Sequence, residues 1–205
     1  MDVVWQGEDD AIAALVLAHG AGAGMTHRHM QSIADALAHY GIATLRFNFP
    51  FIEVGNRRVD PPAVAIARIE EAFAAARERT RLPIWLGGHS FGGRMASHAV
   101  LDRRLDARGL IFCSFPLHNP GKPAVTRAEH LSGIQRPMLF LSGTRDDLAD
   151  RKLLEGLVGG LPAAQLHWLD TADHGYRVLK RSRESAEDVY VEMARVARAF
   201  VDRHP

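Results

Sequence analysis

The sequence predicts an α/β protein, a mainly parallel twisted sheet of about six to seven strands with helices on both faces. Short runs of β-branched and apolar residues alternate with longer segments of helical periodicity, the pattern of strands joined by crossover helices. Most of the strands run into a helix or a loop at their C-terminal end, where open α/β sheets hold ligands. The 205 residues are 47% hydrophobic and 24% charged, enough to bury one core, and suggest a single domain over residues 1–205 with no cap domain.

The first clear strand is Ala14-Leu15-Val16-Leu17-Ala18. A helix from Thr26 to His39 follows, with Thr26 as N-cap and Gly41 as the stop. The next strand is Ile42 to Phe47. A loop from Asn48 to Asp60 leads to Pro61 and Pro62, which open an Ala-rich helix ending near Thr80. Pro83 to Gly87 is a strand, Ser90 to Asp102 a helix, Gly109 to Phe115 a strand and Pro116 to Arg136 a loop. Then come a strand at Met138 to Leu141, a helix near Arg151 to Val158 and a strand at Gln165 to Leu169. A last helix from Ser185 to Val201 carries an apolar stripe of Val189, Met193, Val196, Ala197 and Phe200.

Composition limits the partners. Net charge is +1 with neutral histidines, without the concentrated basic excess of a nucleic-acid binder. The N-terminus lacks a basic stretch followed by an apolar one. The longest purely apolar run, Ala11 to Ala18, is too short to span a bilayer. A cytoplasmic protein without a membrane or nucleic-acid partner is expected. The single cysteine, Cys113, sits in the strand Leu110-Ile111-Phe112-Cys113 and reads as a small core hydrophobe.

The chemistry concentrates at Gly88-His89-Ser90-Phe91-Gly92. A serine on a sharp strand-to-helix turn needs tiny neighbours two residues away, and both are glycine. The turn sets the hydroxyl at a helix N-terminus, where free amides favour developing negative charge. The structural alternative is that Ser90 merely caps the helix. A second glycine-rich loop, His19-Gly20-Ala21-Gly22-Ala23-Gly24, ends the first clear strand. An acyl-transfer site needs two amides aimed at the oxyanion. Phe91 supplies one candidate and Ala21 the other, with Gly22 the alternative. The competing reading is a dinucleotide-binding loop. Met25 stands where that fingerprint needs a small residue, and the next strand ends Leu45-Arg46-Phe47-Asn48 without an acid. Arg46 would then suit a phosphorylated cofactor.

A nucleophilic serine needs a histidine base and an orienting carboxylate. Asp146 follows the strand Met138 to Leu141, within Ser142-Gly143-Thr144-Arg145-Asp146-Asp147. His174 follows the next strand, within Asp170-Thr171-Ala172-Asp173-His174-Gly175. Both are therefore expected at the sheet edge that carries Ser90. Asp146 is the expected acid, Asp147 an expected cap, and Asp173 and Asp170 the reserve acids. His27 and His29, two apart on a helix, make a poor chelate, and no metal site is expected.

Together these segments, with Gly93-Arg94-Met95-Ala96-Ser97 after the serine, resemble small α/β-hydrolases of the dienelactone-hydrolase-like kind, and more narrowly a compact group without a cap. The resemblance spans nearly the whole chain and implies an α/β-hydrolase fold. Dienelactone hydrolase uses a cysteine where Ser90 stands, so its activity does not carry over. Some relatives serve as interaction modules, which keeps a non-catalytic role as the rival reading. The expected reaction is hydrolysis of a small acyl ester without a cofactor, with thioesters and amides as alternatives. Gly22, His89, Phe49, Phe51, Pro116 and Leu117 are expected to meet the substrate, and the loops 48–60 and 116–136 to wall the pocket. Arg94, one turn beyond Ser90, is expected either to anchor its helix or to reach an anionic substrate.

Overall fold

The computed structural model describes residues 1–7 and 9–205. It contains a seven-stranded sheet: β1 (Val3–Gln6), β2 (Ala13–Ala18), β3 (Ile42–Phe47), β4 (Ile84–His89), β5 (Leu110–Cys113), β6 (Met138–Gly143) and β7 (Ala164–Leu169). The order is β1-β3-β2-β4-β5-β6-β7, and every pairing is parallel except β1 with β3. The helices are α1 (Arg28–His39), α2 (Pro50–Glu53), α3 (Pro62–Arg79), α4 (Phe91–Asp102), α5 (Arg151–Gly159) and α6 (Val189–Asp202), with a 3-10 helix at Thr126–Gly133.

The central strands are buried on both faces, which is why they read as continuous apolar runs. Along β2, Ala14, Val16 and Ala18 face the layer of α3, α4 and α5, while Ala13, Leu15 and Leu17 face α1 and α6. The side-chain alternation of a strand continues in β5, where Leu110 and Phe112 point to the first layer and Ile111 and Cys113 to the second. Burial pushes the Cys113 thiol up to about 12, so it is an inert core group. No described helix is long and apolar enough to cross a membrane.

From β2 the chain runs outward to β3, then crosses back to β4 on the other side. The strand order reverses between β2 and β4, and a crevice opens beyond their C-terminal ends. The loop after β2 and the turn after β4 flank that crevice.

The structure corrects several element boundaries. Strand β1 was not anticipated: it is four residues long, lies at the sheet edge and pairs antiparallel with β3. Helix α1 is capped by His27 rather than Thr26, the His27 Nδ1 accepting from the His29 amide at 3.2 Å. Helix α6 starts at Val189, because Asp188 caps it by accepting from the Tyr190 amide. The expected loop 48–60 contains α2, opened by Pro50 at its first position. The expected loop 116–136 contains the 3-10 helix.

Candidate active site

Ser90 lies between β4 and α4 with φ 52° and ψ −117°, outside the regions that L-residues ordinarily occupy. Its amide donates to the Cys113 carbonyl at 3.0 Å, which ties the turn to β5. Its hydroxyl makes no capping bond to α4, so the capping alternative does not hold. The flanking glycines are required by β2 and the loop beyond it. A Cβ on Gly88, at φ 149°, would lie 2.1 Å from the Ala18 carbonyl oxygen, and one on Gly92 would lie 2.5 Å from that of His19. Any side chain there would force the turn away from β2.

The freed hydroxyl meets His174. Ser90 Oγ and His174 Nε2 are 2.8 Å apart. His174 Nδ1 lies 2.9 and 2.8 Å from the two carboxylate oxygens of Asp146. The Asp146 side chain is fully buried while that of His174 is 25% exposed. Asp146 Oδ1 also accepts from the Leu148 amide at 2.8 Å, which fixes the carboxylate within its own loop. The neighbouring acids face elsewhere. Asp173 Oδ1 accepts from the amides of Gly175 and Arg177 and so shapes the loop that carries His174. Asp170 accepts from the Glu184 amide. Asp147 is not a cap, since Asp150 caps α5 by accepting from the Leu153 amide; Asp147 instead reaches the cavity beside Ser90.

The loop after β2 is held by His19, which is fully buried. Its Nε2 accepts from the Phe49 amide at 3.0 Å, so its Nδ1 carries the proton and donates to the Gly20 carbonyl at 2.8 Å. Burial lowers its pKa, in keeping with this neutral tautomer. The loop is close to the serine: a Cβ on Gly20 would lie 3.5 Å from Ser90 Cβ. Ala21 and Gly22 are exposed and line the cavity. Neither the Ala21 amide nor the Phe91 amide has an acceptor among the described residues.

A cavity of about 920 Å³ opens beside Ser90, walled by the loop after β2, the start of α1, the loops carrying Asp146 and His174, and Tyr190 of α6. His89, next to the serine, is itself part of this wall. Its Nε2–H donates to the His174 carbonyl at 2.9 Å. Burial, with His29 and His174 nearby, lowers its pKa to about 3. His29 packs edge-on against His89, with 4.5 Å between ring centroids, and bonds Tyr190 Oη through Nδ1 at 2.9 Å. Burial lowers the His29 pKa to about 4. Both rings are therefore neutral at pH 7.

Four of the expected substrate contacts are not in this cavity. Phe49, Phe51 and Leu117 are at most 1% exposed, and Pro116 is buried. Phe49 and Phe51 pack on His19 and Phe91 as an aromatic plug beneath the turn, drawn inward by the Phe49–His19 bond. Leu117 is tied by its amide to the Leu148 carbonyl. The loops 48–60 and 116–136 contribute nothing to the cavity wall among the described residues. The wall residues that sequence reasoning missed include His27, Arg28, His29, Arg177 and Tyr190. The paired histidines at the start of α1 were the one available signal, and were weighed only as a metal chelate and set aside as a poor one. Arg46 is 1% exposed and bonds Met25 and Gln6, so it is unavailable to a cofactor phosphate. Arg94 lies outside the cavity.

An open, mostly parallel α/β sheet with a strained serine after a central strand defines the class, and the comparisons agree. The sequence model of the alpha/beta hydrolase domain family matches residues 11–202. The chain belongs to the α/β-hydrolase family. Among solved structures it is similar to dienelactone hydrolase from Anabaena variabilis, at 16% identity and TM-score 0.74, over 98% of this chain and 91% of that one. It is also similar to the Est1E protein from Butyrivibrio proteoclasticus, solved with ferulic acid, at 14% identity and TM-score 0.71, over 99% and 94%. A lidless α/β serine hydrolase from Xanthomonas campestris matches at 19% identity and TM-score 0.69, over 98% and 88%. At these identities the likeness is one of fold.

Proposed function

We propose that the chain is a single-domain, cap-less serine hydrolase that cleaves small acyl esters in the cytoplasm through an acyl-enzyme. The observation that carries this reading is the unbroken hydrogen-bond chain from Ser90 Oγ through His174 to Asp146, at a serine held with φ 52°. Ser90 Oγ attacks the ester carbonyl as its proton passes to His174 Nε2. Asp146 holds the Nδ1–H and stabilises the imidazolium. The Ala21 and Phe91 amides receive the oxyanion. The tetrahedral intermediate collapses to acyl-Ser90, and the departing alkoxide takes the proton from His174. Water then attacks the acyl carbon as its proton passes to His174, and the second tetrahedral intermediate collapses: Ser90 Oγ departs with the proton from His174 and the carboxylic acid is released. The scheme uses no cofactor, metal or macromolecular partner. Folded protein is expected to react one-to-one with a fluorophosphonate, measured by intact mass. Failure to react would sink the reading in favour of a non-catalytic interaction module.

Chain-length preference follows from the cavity wall. Its apolar surface includes Ala21, Ala23, Leu148 and the Tyr190 ring, set among histidine, arginine and aspartate side chains. Neither loop 48–60 nor loop 116–136 closes over the cavity, which stays open to solvent, so a long alkyl chain would bury only part of its methylenes, each worth roughly 0.8 kcal/mol. We expect kcat/KM for p-nitrophenyl esters to be highest for acetate and butyrate and not to rise with longer acyl groups. A preference for decanoate would overturn this expectation.

A further inference from the structure

On the other side of the Ser90 turn, α4 and the 3-10 helix bring together cationic and imidazole groups that the acyl chemistry does not use. Arg94 and His98 are four apart on α4 and share a face. Arg127 and His130 are three apart on the 3-10 helix, where such residues eclipse one another. The two faces meet through the imidazoles. The His98 and His130 rings stack with centroids 3.7 Å apart and planes 12° apart. Ser97 joins them from below: its hydroxyl donates to the Arg94 carbonyl at 2.7 Å and accepts from His130 Nε2–H at 2.7 Å. His130 Nδ1 is left free.

The charge of this cluster is unbalanced. The Arg94 guanidinium has no hydrogen bond or ion pair among the described residues, and its Nε is buried without a partner. A half-buried guanidinium ordinarily has a carboxylate. Here burial and the Arg127 charge both depress Arg94, with Asp102 reaching only the edge of the cluster, 4.0 Å from His98 Nδ1. Burial, His98 and Arg94 lower the His130 pKa to about 4, and burial lowers that of His98. The rings are thus neutral at pH 7 and can accept a proton when a negative charge arrives.

We infer that Arg94, Arg127, His98 and His130 form a binding site for a phosphoryl group, separate from the Ser90 cavity. A tetrahedral dianion would engage the Arg94 fork and the rest of the Arg127 fork, whose Nη2 donates to Asn119 Oδ1, with the free imidazole nitrogens donating once they take up a proton. Arg94 is thus a ligand-binding residue of a second site, neither a helix anchor nor part of the ester pocket.

The test uses the intact protein with isotope-labelled histidine. Ring signals are followed near neutral pH while sodium sulfate, and separately inorganic phosphate, replaces sodium chloride at constant ionic strength. Saturable shifts of the His98 and His130 signals are expected with both anions, while His39, on the opposite face of the sheet, stays put. Arg94→Gln and Arg127→Gln should each weaken binding about tenfold or more, and Arg127→Lys should retain part of it. Because Arg94→Gln could disturb the packing of α4, Arg127→Gln serves as the independent variant, and both are checked by thermal melting. Phenyl phosphate should bind like inorganic phosphate if the phosphoryl group is what is recognised. Several results would overturn the site: shifts that never saturate, shifts shared by His39, acetate binding as tightly as phosphate, or undiminished binding in both glutamine variants. A lowered melting temperature in Arg94→Gln with no anion response in the parent protein would assign Arg94 to helix anchoring instead.

Discussion

Ser90→Ala is expected to lower kcat on a short ester by about 10⁴- to 10⁶-fold and to abolish fluorophosphonate labelling. The size follows from the geometry: Ser90 Oγ is the atom that His174 Nε2 contacts at 2.8 Å, and alanine leaves nothing there to accept an acyl group. The substitution keeps the Cβ, so the positive φ of residue 90 and its strain persist, and the fold should melt much as the parent does. Ser90→Gly separates inactivity from unfolding. Glycine adopts this conformation freely and should raise stability by about 1 kcal/mol while remaining equally inactive. Labelling that survives in either variant, with circular dichroism and melting intact, would show that another residue is the nucleophile.

Asp146→Asn is expected to cost up to about 10⁴-fold in kcat with little change in melting temperature. The amide can present its NH₂ to His174 Nδ1, which would invert the tautomer and leave the proton on Nε2, facing Ser90. The Leu148 amide, which donates to Asp146 Oδ1, favours that arrangement, because it holds the remaining oxygen and leaves the NH₂ at the position facing His174 Nδ1. Asp147→Asn should retain near-parental kcat, because its exposed side chain does not face His174 Nδ1. Asp150→Ala should lose about 1 kcal/mol of stability and keep its activity, as removal of an N-cap does. Parallel kcat measurements and urea titrations on the three variants decide the assignment. An inactive Asp147→Asn beside an active Asp146→Asn would reverse it.

The convergence of Ser90, Asp146 and His174 was legible because sheet topology does most of the positioning. Each residue lies beyond the C-terminal end of a strand, and β4, β6 and β7 run parallel. Knowing the strands was then sufficient to put the three at one edge. The central strands were legible because burial on both faces makes them apolar throughout. Strand β1 was not, since Val3 to Gln6 is only four residues long and partly exposed at the sheet edge, too short a run to stand out even with Gly7 after it. The substrate wall was not legible for a different reason. Phe49, Phe51 and Leu117 look like pocket residues by type and location, yet whether a loop aromatic faces solvent or the core depends on partners distant in sequence. For Phe49 the partner is His19, thirty residues earlier. Tyr190 reaches the cavity from a helix that carried no chemical motif, and Arg177 from just beyond the motif that holds His174.

The neutral histidines around the cavity also couple folding to acidity. Burial lowers His89 to about 3 and His29 to about 4 in the folded chain, well below the usual imidazole value of about 6.5. Below about pH 6.5 the unfolded chain takes up protons that the native state refuses, so stability falls as pH falls. The loss is complete only below the depressed values. At pH 5 it amounts to about 2 kcal/mol for each ring, at about 1.4 kcal/mol per unit of pKa difference. Two rings together remove a large part of the roughly 5–15 kcal/mol that holds a typical domain folded. The urea midpoint should therefore drop steeply between pH 7 and pH 5, and less steeply when His29 is replaced by glutamine. The packing that keeps imidazoles uncharged beside His174 thus makes the fold acid-labile, and a loss of activity in mild acid would report on unfolding as much as on the chemistry of the site.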